Sequence, residues 1–455
     1  MKGIIYFMIF WIGLFSNLYC QKRDTIHLSS KGNISTVFDR LNSNNNSKYY
    51  VLNLKNDGIY KIKKTIVLNN KIEIVGNNSI LQPDLKWNEN NDPDSPMFAI
   101  VGKNNIRLKD LTIDFQGQKR TAATRIYCGV LILASNHITI ANVKFKNGGL
   151  NSLKSIPNSP YILIASQDKA GDVPSLPKKY KNKTGSCSNN FILDNTFENS
   201  RTSTRFGIRV LSNWLEKRPH RNFKNKSFKN LIKGNSFIGE FSWNTVELAG
   251  GGTVENKVIN NRINGKSVNA LDIDKGASFN TIESNIILNA GLPERYKNDK
   301  NIRCSPISVQ GSDYDYVASS NQVLKNTIEN ISNPSSDNKK YYYSSAIMTS
   351  YVKGVLIEGN TIRNAYQDNA FQGGKNYGFG IVLHDFSNDV EIKSNRIEKV
   401  YIGIAINWVK KEGRNVTINK NNMDFVSDFV RSPKYDIKSN VFKIKNNQIK
   451  RMQKK

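Results

Sequence analysis

Asn-Lys-Val-Ile-Asn-Asn-Arg-Ile at residues 256–263 is followed 24 residues later by Asn-Thr-Ile-Glu-Ser-Asn-Ile-Ile at 280–287. Asn-Leu-Ile-Lys-Gly-Asn-Ser-Phe at 230–237 precedes them at nearly the same spacing. Working outward, the shared core is Asn, any residue, then a bulky apolar residue. It recurs nine times: Asn195-Thr-Phe197, Asn235-Ser-Phe237, Asn261-Arg-Ile263, Asn285-Ile-Ile287, Asn326-Thr-Ile328, Asn360-Thr-Ile362, Asn395-Arg-Ile397, Asn421-Asn-Met423 and Asn447-Gln-Ile449. The gaps are 40, 26, 24, 41, 34, 35, 26 and 26 residues. A floor of 24–26 with longer gaps where chain is inserted marks a coiled solenoid.

Each repeat carries short alternating segments, such as Ile208-Arg-Val210, Val246-Glu-Leu248, Leu271-Asp-Ile273, Ile307-Ser-Val309, Ile381-Val-Leu383 and Ile404-Ala-Ile406. Period-two alternation puts the apolar members on one face of a strand. One such strand cannot bury that face alone, whereas stacked copies share a continuous core. Asn and Gly between strands supply the left-handed backbone of tight corners. Asn recurring at one place in successive coils is set to form a ladder of side-chain amide hydrogen bonds. Helical patterns are scarce; the amphipathic stretch Ile34 to Leu41 reads as a short N-terminal cap.

These features resemble the right-handed parallel β-helix, or pectin-lyase-like, superfamily of polysaccharide lyases and glycoside hydrolases. The residues carrying the resemblance are the Asn ladder together with 354–362 (GVLIEGNTI) and 390–397 (VEIKSNRI). Residues 71–83 (KIEIVGNNSILQP), 105–115 (NIRLKDLTIDF) and 137–145 (HITIANVKF) continue it toward the N-terminus. It spans roughly 380 residues from about residue 70. A leucine consensus is missing, which excludes a leucine-rich repeat, and the repeat is too short for a propeller blade. The fold expected is all-β, a parallel β-helix with loop insertions. The domains expected are a signal peptide at 1–20 and one β-helix domain over 21–455.

Residues 1–20 read as Lys2, an apolar run, then small and polar residues, the pattern of a secretory leader. Secretion or periplasmic release is expected; the alternative is lipid anchoring through Cys20. No other stretch is apolar enough to span a bilayer. Cys128, Cys187 and Cys304 remain, with no zinc-type spacing, so a disulfide scaffold is excluded. The net charge of +29 favours a polyanion. There is no helix-turn-helix, zinc finger or aromatic RNA-binding signature, so an acidic polysaccharide is the expected partner rather than nucleic acid. A general Lys and Asn bias in composition is the competing explanation. The sequence leaves the oligomeric state open.

Outward residues at one strand position stack from coil to coil at about 4.8 Å. Aligning strands gives a column containing Arg205, Gly207 and Arg209, then Thr245 and Glu247, then Ala270, Asp272 and Asp274 with Lys275 at the turn. Ser308 and Gln310, Met348, Val382 and His384, and Ala405 and Asn407 follow. Allowing one extra residue in 248–256 places Glu247 over Asp272, with Asp274 two residues along on the same face. Three carboxylates so close require a cation among them or a raised pKa on at least one.

Two chemistries use such a cluster. In the lyases of the superfamily, calcium held by Glu247, Asp272 and Asp274 would neutralise a substrate uronate. Lys275 or Arg209 would then remove the C5 proton, giving β-elimination. In the hydrolases, two of these carboxylates act as acid and base on a glycosidic bond. The resemblance implies the lyase first and the hydrolase as alternative. A non-catalytic carbohydrate-binding solenoid is the third reading. The polygalacturonase motifs Asn-Thr-Asp, Gly-His-Gly and Arg-Ile-Lys are missing, as is the full alginate-lyase pattern. The catalytic set Lys275, Asp272, Glu247 and Arg209 therefore rests on position and chemistry alone. Arg205, Gln310, His384 and Tyr316 are the candidate substrate-binding residues.

Insertions fall in the long gaps, at 151–187, 212–229, 292–304 and 311–319. Trp214, Tyr296, Tyr314 and Tyr341-Tyr-Tyr343 within or near them are suited to stacking on sugar rings, and Arg218, His220 and Arg221 to walling a groove.

Overall fold

The protein is seen in a computed structural model that describes residues 23–30, 33–43, 48–87, 95–121, 124, 126–148, 160–199, 204–214, 222–293, 296, 304–313, 316–331, 344–365, 378–407, 413–426, 428–431 and 441–451. The segment 1–20 expected to be a leader, with Cys20, and Arg218, His220, Arg221, Tyr314 and Tyr341–Tyr343, lie outside the described residues.

The chain winds into a parallel β-helix, as the repeat requires. Every named strand pairing is parallel, and each joins one coil to the next. A single inward position can be followed in register from Ile26 through Leu52, Ile74, Leu108, Ile140, Ile192, Ile232, Val258, Ile282, Val323, Ile357, Ile392 and Ile418 to Ile444. The apolar residue of each Asn repeat forms a second column. There Phe145, Phe197 and Phe237 stack face to face at 4.9 and 4.6 Å before Ile263 continues it. These columns merge into one apolar core from Leu28 to Phe442.

The nine repeat asparagines form an unbroken amide ladder. Each Nδ2, from Asn195 to Asn421, donates to Oδ1 of the next at 2.9–3.0 Å. That same Oδ1 accepts the backbone N–H of the preceding asparagine, as Asn261 does from Asn235 at 2.9 Å. A second ladder, which the nine-fold motif does not capture, runs through Asn190, Asn230, Asn256, Asn280 and Asn321. Both are buried.

The ladder also explains the corners. The residue before every motif asparagine has positive φ: Asp194, Gly234, Asn260, Ser284, Lys325, Gly359, Ser394, Lys420 and Asn446. Only two are Gly and two Asn, fewer than expected for left-handed positions. A left-handed L-residue costs about 1 kcal/mol, and the hydrogen bonds of the buried asparagine beside it offset that cost. Gly250 is a case where only glycine serves. Its φ is +93°, and an added Cβ would lie 1.9 Å from the Ser212 carbonyl oxygen of the preceding coil.

The expected cap is a helix, Ile34–Ser43, burying Ile34, Phe38 and Leu41. Asn33 Oδ1 caps it by accepting the N–H groups of Ser35 and Thr36 at 3.1 and 3.4 Å. Cys128, Cys187 and Cys304 are buried free thiols. Among the described residues no helix is long and apolar enough to cross a membrane.

Asn261→Ala would strand the Ile232 carbonyl and both Asn235 donors in the core. We expect a loss of about 3 kcal/mol in a denaturant titration. The exposed Asn264, whose Oδ1 accepts from Asn289 at 2.8 Å, should change stability by under about 0.5 kcal/mol when replaced by Ala.

Candidate active site

A twelve-stranded sheet carries the site. It includes Phe98–Val101, Val130–Leu133, Pro160–Ser166, Phe206–Ser212, Asn244–Ala249, Asn269–Asp274, Ile307–Gln310, Ser344–Ser350, Gly378–His384 and Ile402–Asn407. Its outward central column can be read directly from the register. It runs Ala99, Leu131, Leu163, Arg209, Glu247, Asp272, Ser308, Met348, Val382 and Ala405. Three charged residues thus form an island in an otherwise mostly apolar column. Leu131 and Leu163, with the neighbouring column of Leu133, Ala165, Leu211 and Ala249, are covered by Val173, Leu176 and Tyr180 of the long insertion. The covering that shields these side chains also removes water from the charges beside them.

Arg209, Glu247 and Asp272 are each at most 3% exposed. Arg209 Nε donates to Glu247 Oε2 in a fully buried ion pair. The Asn244 amide joins the two carboxylates: its Nδ2 lies 3.2 Å from Glu247 Oε1 and 2.8 Å from Asp272 Oδ2. Two oxygens bonded to one nitrogen lie within about 6 Å of each other, so the expected stacking of Glu247 on Asp272 is realised. Asp274 stands two residues along the same strand, partly exposed, and its Oδ1 accepts the Lys275 backbone N–H at 2.7 Å.

Burial pushes the Asp272 carboxyl well above the usual carboxylate range, and the Asp274 and Glu247 charges push it further. Asp274 is pushed up to about 7, first by burial and then by Glu247. Its Lys275 N–H and the Lys275 and Arg209 charges pull the other way.

Aromatic rings hold the cations. The Arg209 guanidinium lies 4.0 Å from the Phe206 centroid and 5.1 Å from that of Trp214. Lys275 Nζ lies 4.6 Å from the same Trp214 ring. Arg205 sits 5.0 Å from the Trp243 centroid, and Trp243 meets Tyr296 edge-on at 5.7 Å. Arg209 and Lys275 thus share the Trp214 ring beside the carboxylates, while Arg205 lies against Trp243 at the strand entry. Gln310 Nε2 reaches Asp272 Oδ1 at 3.5 Å.

His384 and Tyr316 are not brought to the cluster. His384 is buried three coils from the carboxylates, about 14 Å along the sheet. Tyr316 is buried against the turn at Gly276. Upstream of Arg209 and Asp272 the expected column fails. Ala270 belongs to the main core, and an added Cβ on Gly207 would meet the core ring of Phe237 at 3.0 Å. The coil is still turning into the sheet there, so alternation has not begun. Asn244 was missed for the same reason. Three residues before Glu247, it has the parity of an inward residue.

The carboxylates do not fit a calcium ion. Calcium takes six to eight oxygen ligands, whereas here Glu247 is held by Arg209 and Asn244, and Asp272 by Asn244. Among the described residues no group of three or more His, Cys, Asp or Glu side chains is arranged to hold a metal.

No family model matches the chain, and no curated protein matches it. Solved structures do. The catalytic domain of a GH87 α-1,3-glucanase bound to tetrasaccharides aligns over 95% of this chain and 70% of its own, with TM-score 0.58 and 14% identity. The tailspike protein 3 of bacteriophage CBA120 aligns over 92% of this chain and 59% of its own, with TM-score 0.51 and 12% identity. An alginate lyase from Paenibacillus aligns over 74% and 94%, with TM-score 0.47 and 13% identity. The chain shares the parallel β-helix fold of these structures. At such identities the likeness is one of fold.

The raised carboxyls have a cost that depends on pH. A carboxyl whose folded pKa exceeds its unfolded value stabilises the fold below the unfolded value and loses that contribution as pH rises through the folded one. For Asp274 the window runs from about 4 to about 7. Asp274→Asn should therefore raise the melting temperature at pH 8, by an amount equivalent to about 1–2 kcal/mol, and the gain should vanish below pH 4. Melting curves across that range check it.

Proposed function

We propose that the protein is a secreted polysaccharide-degrading enzyme that hydrolyses an acidic polysaccharide at the Glu247, Asp272 and Asp274 site. The observation that carries this reading is a pair of carboxyls, Asp272 and Asp274, kept protonated to unusually high pH on one strand face beside a Glu247 that Arg209 holds. No packing requirement explains them, since the outward column is apolar on one side and largely so on the other.

Asp272 and Asp274 titrate together. One proton shared between them gives the acid and the base that glycosidic cleavage needs. Asp272, whose carboxyl is raised further, holds that proton and donates it to the glycosidic oxygen as the bond to the anomeric carbon breaks. Water adds to that carbon, and the more exposed Asp274, ionised, takes the water's proton. Glu247, locked by Arg209, keeps negative charge behind the pair and holds the Asp274 proton near neutral pH. Lys275, Arg205 and Gln310 line the exposed side and bind substrate anions and hydroxyls. His384 lies where a longer polymer would continue along the sheet. The net charge of +29 supports an acidic polymer, and the GH87 α-1,3-glucanases are glycanases on the same fold.

Elimination has less support. Arg209 is buried and committed to Glu247, which removes it as a base, and the carboxylates do not fit calcium. Lys275 is the remaining base for that chemistry. Pectate, alginate and glycosaminoglycan incubations separate the two. New reducing ends without the ultraviolet absorbance of an unsaturated uronate support hydrolysis. The same ends with that absorbance, lost in Lys275→Ala, would establish a lyase.

Two outcomes follow from the base role of Asp274. Asp274→Asn should lower kcat by about 10²–10⁴-fold while substrate binding persists. Activity of the unaltered protein should rise as pH rises through about 7, where Asp274 loses its proton and Asp272 keeps its own.

A further inference from the structure

A second concave site lies on the larger sheet, near the N-terminal end of the coil. It is a pocket of about 430 Å³ lined by Arg23, Tyr49, Lys71, Arg107, His137 and Phe191, among others. The register shows why these residues meet. Arg23 is partnered with Tyr49, and Arg107 with Thr139, which is partnered with Phe191. Six successive coils each place a cation or an aromatic ring at this corner.

The charge balance is distinctive. The carboxylate beneath is Glu73, one residue along from Ile72 on the coil after Tyr49. It is buried and engaged by Lys109 at 2.9 Å, by Arg23 at 3.8 Å and by the Tyr49 hydroxyl at 3.4 Å. Elsewhere on this sheet some outward cations are matched by carboxylates on adjoining coils, as Lys144 is by Glu198 at 2.7 Å and Arg363 by Glu398 at 2.9 Å. Among the described ion pairs Glu73 is engaged by the pocket's Arg23 and held more closely by Lys109, while Arg107 and His137 line the same wall. The result is a concentrated positive field in a concave, partly apolar wall, which raises the local concentration of anions.

We propose that this pocket is a non-catalytic binding site for an acidic oligosaccharide, separate from the carboxylate site. A volume of 430 Å³ falls in the range of small-ligand sites and suits one or two sugar rings. Arg23 and Arg107 bind uronate carboxylates or sulfates through paired N–H donors. Phe191, partly exposed, offers a ring face to a pyranose. The Tyr49 ring is already covered by the Arg23 guanidinium, 5.1 Å from its centroid. That leaves a single open ring, which fits a sugar better than a run of stacked nucleobases. An anchoring pocket on another face of the solenoid lets a polymer stay attached while the carboxylate site acts on it.

The test uses the full chain carrying Asp274→Asn, so that cleavage does not obscure binding. Titration calorimetry with a galacturonate hexasaccharide, a mannuronate hexasaccharide and neutral maltohexaose reads affinity. Arg107→Ala, and separately Arg23→Ala, should weaken one or both acidic ligands at least tenfold. Lys443→Ala, removing an exposed charge at the far end of the coil, should change affinity less than twofold, and maltohexaose should not bind the pocket. The proposal is overturned if all three variants bind alike, if the three removals weaken binding equally, or if oligo(dT) binds more tightly than the sugars and loses affinity in Arg107→Ala. Activity of Arg107→Ala with Asp274 restored, on a short soluble substrate, reports separately on the carboxylate site.

Discussion

The side-chain amide of one asparagine per coil governs this molecule. Parallel strands of only three or four residues have little to fix their register, and a slip of one residue would turn every inward side chain outward. The asparagine ladder removes that freedom. Each amide donates to the next coil's side chain and to a backbone carbonyl of the coil before, and accepts from that coil's backbone, as Asn235 and Asn261 show. These bonds lie in the core, where an unmade one would be costly. Register is therefore set once per coil, locally, and it propagates along the chain. Insertions such as those between Asn195 and Asn235, or between Asn285 and Asn326, lengthen a coil without shifting the next.

Fixed register is what allows a site to be written across coils. Arg209, Glu247 and Asp272 are 38 and 25 residues apart in sequence, yet they are consecutive rungs of one column. Buried charges of this kind are expensive unless paired and hydrogen-bonded. Arg209 and Glu247 satisfy each other, and Asn244 ties both carboxylates. Asp272 and Asp274 lack a cation of their own at bonding distance among the described contacts, and they respond by holding protons. The same coverage by Tyr180, Leu176 and Val173 that lets the neighbouring outward column be apolar supplies the desolvation that makes two aspartates acids.

The sequence made the ladder and the column legible because both have a simple period. The nine Asn-x-apolar motifs are all rungs, and the alignment that allowed one extra residue between Leu248 and Asn256 placed Glu247 over Asp272. That residue belongs to the Gly250 turn, whose tight approach to Ser212 no side chain would allow. What alternation could not show lies where alternation stops. Asn244 and Ala270 sit at the strand entry, where parity is not yet set. Trp214 sits just past the end of its strand, and its place between Arg209 and Lys275 depends on tertiary packing. His384 keeps the period but lies three coils away, because a shared column says nothing about distance along it.

The two halves of the surface differ in how they treat charge, and the difference follows from burial. On the larger sheet ion pairs such as Lys144 with Glu198 and Arg363 with Glu398 join adjoining coils in partly exposed positions, where such pairs are worth little. On the twelve-stranded sheet Asp272 and Asp274 sit in a drier setting, where burial and neighbouring charge raise both carboxyls. A protein of net charge +29 must keep its chemistry from being swamped by its own field. It does so by pairing the buried Arg209 guanidinium with Glu247 rather than with Asp272 or Asp274. Had Arg209 stacked on Asp272 instead, that carboxyl would ionise in the ordinary range and hold no proton to give. The order of rungs, arginine then glutamate then aspartate, is therefore the arrangement that leaves the last carboxyls protonated.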